Sequence, residues 1–126
     1  MHENEISKIV IECALKVHKT LGPGLLESVY RDALAYELNK AGLSVDVEKD
    51  IPVFYEQIRF DKGFRADIVI ENKVLLELKS VKKLQDIHFK QTLTYLKLTG
   101  LKLGLVINFN EVLLKNGLKR IINGKL

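Results

Sequence analysis

The sequence predicts an α/β fold, with a mixed central β-sheet flanked by helices, in a single domain that spans residues 1–126. Two segments with helical spacing open the chain, and short apolar segments with strand character fill its middle. Further on, a helical segment separates two apolar strands, as in the crossover that joins parallel strands of a helix-covered sheet. The predicted order is helix, helix, four strands, helix, strand, strand.

Two amphipathic helices are predicted first. Within Asn4–Leu21, apolar side chains recur every three or four residues, which places them on one helical face. Gly22-Pro23-Gly24 ends this helix, because proline and glycine interrupt the helical hydrogen-bond ladder. A second helical period runs from Leu25 to Lys40, and Gly42 follows it at the position where a glycine commonly terminates a helix.

The middle of the chain changes to the alternating pattern of half-buried strands. Leu43–Val47 alternates apolar and polar residues, and a second strand is predicted to begin at Pro52, since proline is tolerated at a strand's first residue. Phe64–Ile70 and Val74–Leu78 are the next two strands. The polar insert Glu71-Asn72-Lys73 between them predicts a hairpin loop.

The last third of the chain predicts one helix between two strands. Helical spacing runs from Asp86 to Thr99 and ends at Gly100. Leu103–Ile107 is fully apolar, which suits the buried centre of a sheet. Leu118–Ile122 is expected to form a short strand at an edge.

Composition excludes several classes of protein. Of the 126 residues, 47% are hydrophobic, so the chain can form a core and is not expected to be disordered. A single cysteine, Cys13, excludes an internal disulfide framework and a multi-cysteine zinc site. No apolar run approaches the roughly 18 residues of a membrane span, and no signal-peptide pattern opens the chain, so we expect a soluble cytoplasmic protein without a membrane partner. The net charge of +4 permits a polyanionic partner without requiring one.

Charged residues inside apolar strands are the most informative feature, because burying them costs free energy unless something pairs with them. Asp67 and Glu77 lie five residues on either side of Asn72, so a hairpin centred there places them opposite each other, with Cβ atoms about 5 Å apart. Such a pair repels unless one carboxyl is protonated or a cation lies between them. A hard divalent cation suits two such carboxylates, and magnesium is the usual one inside cells. Lys79 projects from the same face as Glu77 and could orient a water or stabilise charge on a phosphate.

An exposed ion-pair cluster of the same three side chains is the structural alternative. The spacing by itself is not decisive, because Asp61, Glu71 and Lys73 repeat it on the same hairpin. That second set places its glutamate in the loop and its aspartate before Gly63, so it lacks rigid strands to hold a metal.

Three motifs together resemble a known nuclease superfamily. Asp67 with Glu77-Leu78-Lys79 is similar to the metal-binding signature of the PD-(D/E)xK nucleases, with Ala66 where the name has proline. Gly24–Tyr30 matches the G-x-x-E-x-x-Y pattern of the small prokaryotic GxxExxY family, and Gln91–Tyr95 matches the Q-x-x-x-Y element of RecB-like nucleases. The resemblance covers nearly the whole chain and implies a restriction-endonuclease-like fold.

The resemblance implies a Mg²⁺-dependent nuclease that hydrolyses DNA, with Mn²⁺ as a possible substitute and RNA left open as a substrate. It implies that Asp67, Glu77 and the carbonyl of Leu78 bind the ion, and that Glu27 reaches it directly or through water. Without the resemblance, pairing of Glu27 with Arg31 at the start of a helix is the simpler interpretation. The remaining catalytic candidates are Lys79, Gln91 and Tyr95.

Basic side chains around this site are candidates for holding the nucleic-acid backbone. They are Arg65, Lys82, Lys83 and Lys90, with His88 as a further phosphate contact. A different class of function is also open: a nucleic-acid-binding or partner-binding module that keeps the nuclease fold without turnover. The resemblance is also compatible with a homodimer, because small nucleases often pair to cut two strands, although no interface can be recognised in the sequence.

Overall fold

Three α-helices and a five-stranded mixed sheet build the fold, and the computed structural model describes all residues 1–126. The elements in chain order are α1 (Glu3–Leu21), α2 (Glu27–Lys40), β1 (Val45–Tyr55), β2 (Ile58–Ile70), β3 (Val74–Lys79), α3 (Asp86–Thr99), β4 (Leu103–Asn108), a 3₁₀ turn (Leu114–Gly117) and β5 (Leu118–Ile122). No helix is both long enough and apolar enough to span a membrane.

The strands follow one another across the sheet in the order β1-β2-β3-β4-β5. All neighbours are antiparallel except β3 and β4, which are parallel and are joined through α3. The predicted crossover is therefore confirmed. All six residues of β4 are buried, in agreement with the prediction that Leu103–Ile107 lies inside the sheet, and β5 is an edge strand.

The prediction of two separate strands before Phe64 was wrong. A single strand, β1, runs through Pro52 without a break, so the sheet has five strands instead of six. Proline is tolerated within β1 because this strand lies at the edge of the sheet, where a missing N–H need not remove a ladder bond. The pairing with β2 shifts register between Ile51 and Val53, on either side of the proline. Strand β2 is also longer than predicted, since it begins at Ile58.

Two hydrophobic clusters cover the two faces of the sheet. The large cluster has 19 buried residues and joins α1 and α2 to one face. The small cluster has five buried residues, with α3 on the opposite face: Ile51, Ala66, Val69, Leu75 and Leu96. The sheet is thus enclosed between two helical layers of unequal size.

Gly104 lets α3 pack closely on β4, and its replacement by alanine is expected to destabilise the fold. An added Cβ would lie 2.8 Å from Thr92 Cγ2 and 3.3 Å from Leu96 Cδ1. Overpacking of this kind typically costs about 1–3 kcal/mol of unfolding free energy. Urea unfolding of Gly104→Ala measures the loss. Adding Thr92→Ser removes the clashing methyl and is expected to restore part of it. An unchanged unfolding midpoint in Gly104→Ala would contradict this account of the packing.

Candidate active site

The sheet divides between β2 and β3, and the predicted acidic pair lies at the division. The two strands pair from Ile70–Val74 to Ile68–Leu76 only, in the register symmetric about Asn72 that the hairpin spacing predicts. Beyond that point β2 stays paired with β1, whereas β3 stays paired with β4 as far as Lys79. We call this opening the fork; Asp67 and Glu77 are the next residues of the two strands.

Strand β2 reverses its faces at Asp67. Ala66 packs in the small cluster, whereas Ile68, two residues later, packs in the large cluster on the other side of the sheet. In a regular strand these two residues share one face. The ladder between β1 and β2 omits the pair Glu48–Asp67, and Glu48 has a φ of 51°, which is uncommon outside glycine. Strand irregularities of this kind re-aim side chains beside active sites.

The Asp67 carboxylate points across the fork to the backbone of β3. Its Oδ2 accepts a hydrogen bond from Leu78 N at 2.8 Å, and the residue is half-buried. The neighbouring Glu77 is only 6% exposed, and its Oε1 is buried without any hydrogen-bond partner. Because a buried carboxylate oxygen without a partner is costly, Glu77 does not fit the exposed ion-pair alternative.

The electrostatics of the fork favour a neutral Glu77 in the absence of a cation. Burial, and after it the negative charge of Asp67, raise the pKa of Glu77 from 4.5 to about 8. The ammonium of Lys79 lowers the pKa of Glu77, but by less than these two causes raise it. The Asp67–Glu77 pair therefore needs either a proton or a cation.

Glu27 approaches the same end of β3 from the first turn of α2. Its Oε2 accepts a hydrogen bond from the backbone N–H of Ser80, the residue after Lys79, at 3.3 Å. The alternative pairing of Glu27 with Arg31 does not form. Arg31 instead pairs with Asp32 at 3.0 Å and with Glu48.

Arg31 places a positive charge near the acidic pair. The sequence indicated only that Arg31 could pair with Glu27. The pKa of Arg31 is raised, first by its hydrogen bond to Asp32, and Glu48 and Asp67 contribute further. Arg31 is therefore close enough to Asp67 to feel its charge. Its contact with Glu48 lies at the irregular point of β1, which local spacing in the sequence does not reveal.

Helix α3 presents Tyr95 to the acidic pair. Its ring stacks on Phe64 with centroids 3.9 Å apart and planes 4° from parallel. Burial raises the pKa of the Tyr95 phenol, the negative charges of Glu77 and Asp67 raise it further, and the polar side chain of Gln91 lowers it. Gln91 is exposed one turn earlier on the same helix. Tyr95 thus lies close enough to both carboxylates to be affected by their charges, with Gln91 on the preceding turn of α3.

The candidate phosphate-binding residues differ in how they are engaged. Lys82, Lys83 and Lys90 are exposed and none forms an ion pair, whereas Arg65 pairs with Asp50 at 3.2 Å and with Glu48 at 3.7 Å. His88 lies in the first turn of α3, where its Nδ1 accepts from Gln85 N at 3.0 Å. That bond caps the helix and leaves Nε2 of the His88 ring for another partner.

The carboxylates do not form a preassembled metal cluster. No three His, Cys, Asp or Glu side chains lie close enough to hold an ion in common. The largest cavity, about 390 Å³, is also elsewhere, at the C-terminal end of α3. It is lined by Lys49, Ile51, Pro52, Phe54, Val69, Asn72, Leu98, Thr99 and Leu101. The candidate site is therefore the fork between β2 and β3, and it does not coincide with the largest cavity.

Comparison with known proteins identifies the class that this fold and site define. A family model described as the PD-(D/E)XK nuclease superfamily matches residues 4–121, from α1 to β5. The chain belongs to the PD-(D/E)XK nuclease superfamily, whose members are generally nucleases. Its sheet and flanking helices agree with the restriction-endonuclease-like fold that the resemblance implied. No curated protein and no solved structure matches the chain.

Proposed function

We propose that this chain is a divalent-ion-dependent nuclease that hydrolyses DNA, and that within its superfamily it belongs to the GxxExxY family. The observation that carries the proposal is the buried, unpartnered Oε1 of Glu77 beside the carboxylate of Asp67. Two adjacent carboxylates with a free oxygen suit a hard divalent cation. We expect Mg²⁺, with Mn²⁺ as a substitute, bound by Asp67, Glu77, the Leu78 carbonyl and Glu27, the last directly or through water.

The chain's own side chains have distinct roles in this proposal. The bound ion supplies the acidity of the attacking water and stabilises negative charge on the phosphate. Lys79 follows Glu77 by two residues, so its ammonium faces the same space and stabilises charge as it develops in the transition state. Gln91 and Tyr95 on α3 orient the substrate. Burial of Glu77 strengthens each of these electrostatic interactions, because the local dielectric is low.

Three unpaired lysines support a nucleic-acid substrate. Lys82 and Lys83 lie in the loop between β3 and α3, and Lys90 lies in the first half of α3. Their charges are available to phosphate groups, since no carboxylate neutralises them. When a substrate binds, Arg65 would exchange its ion pairs with Asp50 and Glu48 for a contact with a phosphate. The Nε2 atom of His88 supplies one more phosphate contact.

The proposal is tested with the purified chain, single- and double-stranded DNA, matched RNA, and Mg²⁺ or Mn²⁺. DNA is expected to be cleaved with either ion and to stay intact with excess chelator. Lys79→Met is expected to keep ion uptake, measured by calorimetry, and to lose turnover. Ion uptake without cleavage of any nucleic acid by the wild type would favour a binding module. Absence of ion uptake would overturn the metal site itself.

A further inference from the structure

The start of α2 is tied to the end of β3 by a continuous path of hydrogen bonds. The Tyr30 hydroxyl accepts from Leu25 N at 3.0 Å and donates to the Gly22 carbonyl at 2.6 Å, which fixes the loop between α1 and α2. The Leu25 carbonyl accepts from Ser80 Oγ at 2.7 Å. Ser80 N in turn donates to Glu27 Oε2 at 3.3 Å. Tyr30 thus reaches Glu27 through two residues outside its own helix.

The Tyr30 ring is held in place independently of its hydroxyl. The residue is fully buried, and its ring stacks on Phe109 with centroids 4.6 Å apart and planes 7° from parallel. Phe109 N donates to the carbonyl of Lys79 at 2.9 Å, so the stack is attached to the end of β3. A phenylalanine at position 30 is therefore expected to keep the packing and to lose only the hydroxyl contacts.

The chain after Ser80 is fixed from the other side. Asn108 is fully buried; its Oδ1 accepts from Val81 N at 3.1 Å and its Nδ2 donates to the Val81 carbonyl at 2.9 Å. The amide side chain thus pairs with Val81 as the backbone of a neighbouring strand would. Ser80 lies between two fixed points, and its N–H is aimed at Glu27.

We propose that Tyr30 is a positioning residue, whose hydroxyl acts through Leu25 and Ser80 to hold the Glu27 carboxylate at the end of β3. The inference rests on the proposed role of Glu27 at the ion. Glu27 is exposed, and an exposed glutamate loses rotamer freedom when it is ordered. The path from Tyr30 lowers the cost of ordering Glu27 when the ion binds, because Ser80 already restrains the side chain.

The first test needs neither ion nor substrate. In the wild type, Glu27→Gln is expected to shift the NMR signal of the Ser80 amide, because it changes the acceptor of that N–H. In Tyr30→Phe, the same substitution is expected to leave the Ser80 signal nearly unmoved. Tyr36→Phe is the control, since Tyr36 lies on the same helix with 63% of its surface exposed. If Glu27→Gln shifts the Ser80 amide signal as far in the Tyr30→Phe background as in the wild type, the inference is wrong.

The second test measures Mn²⁺ affinity by calorimetry. Tyr30→Phe is expected to weaken it roughly 10-fold, as for loss of an outer-shell partner of a metal ligand. In the Glu27→Gln background, Tyr30→Phe is expected to have no further effect, whereas a purely structural role would weaken binding equally in both backgrounds. Ser80→Ala breaks the same path without touching the core, and is expected to reproduce the result if Tyr30→Phe fails to fold.

The two tests separate this inference from the proposed function. If the wild type takes up no ion but the Ser80 signal behaves as expected, the metal site fails and the positioning by Tyr30 stands. If the wild type binds Mn²⁺ and neither Tyr30→Phe nor Ser80→Ala changes the affinity or the Ser80 signal, the positioning role is wrong.

Discussion

Asp67→Asn is expected to lower the rate of DNA cleavage by at least about 100-fold, the scale of losing one preorganised electrostatic group. Asparagine keeps an oxygen that can accept from Leu78 N, so the backbone contact across the fork is retained while the charge is lost. Removing that charge also removes a cause of the raised pKa of Glu77. The variant is therefore expected to unfold at the same urea concentration as the wild type or a higher one, measured without ion.

Asp61→Asn is the matched control for this experiment. It makes the same change on the same strand, at a side chain that is 83% exposed and pairs with Arg59. Single-turnover cleavage at saturating Mg²⁺ is expected to be unchanged in this control. Equal rates for Asp67→Asn and the wild type, or equal losses in both variants, would remove Asp67 from the proposed machinery.

Glu77→Gln is expected to abolish a large pH dependence of stability in the ion-free protein. Burial and Asp67 raise the pKa of Glu77 to about 8, against 4.5 for an ordinary glutamate. Between these two values the folded chain holds a proton that the unfolded chain releases. The unfolding free energy of the wild type therefore falls as pH rises through this window, and the loss is complete above about pH 8. At roughly 1.4 kcal/mol per pKa unit, the loss is on the order of 5 kcal/mol.

Urea unfolding from pH 5 to 9 with chelator measures this effect. Glutamine does not titrate, so the Glu77→Gln variant is expected to stay level in this window and to exceed the wild type at pH 9. Glu71→Gln, a half-buried glutamate in the turn of the same hairpin, is expected to follow the wild-type curve. Adding Mg²⁺ at pH 9 is expected to restore the wild type but not Glu77→Gln. Parallel curves for Glu77→Gln and the wild type would disprove the burial account.

The parts of the fold that sequence predicts well depend on local spacing. The crossover from Val74–Lys79 through α3 to the buried β4 follows from hydrophobic period alone. The hairpin centred on Asn72 is equally local, so its register could be predicted; the expectation that Asp67 and Glu77 lie opposite each other across paired strands was wrong, because the strands separate just before them. Pro52 was misinterpreted because sequence does not tell which strand lies at an edge.

The rest of the candidate site depends on contacts between distant segments. Glu27 and Ser80 are 53 residues apart, and their hydrogen bond requires α2 to lie against the end of β3. Arg31 likewise contacts Glu48 at the irregular point of β1, where Glu48 has a φ of 51°. Asn108 and Ser80 carry no motif of their own, and the apolar character of β4 gave no signal that its last side chain would hold Val81.

The unequal helical layers have a consequence for which part of the protein opens most easily. The strands that carry the carboxylates contribute to the layer with 19 buried residues, whereas Gln91 and Tyr95 belong to a helix packed on a cluster of five. We therefore expect local opening to begin at α3, and to move Gln91 and Tyr95 before it moves Asp67.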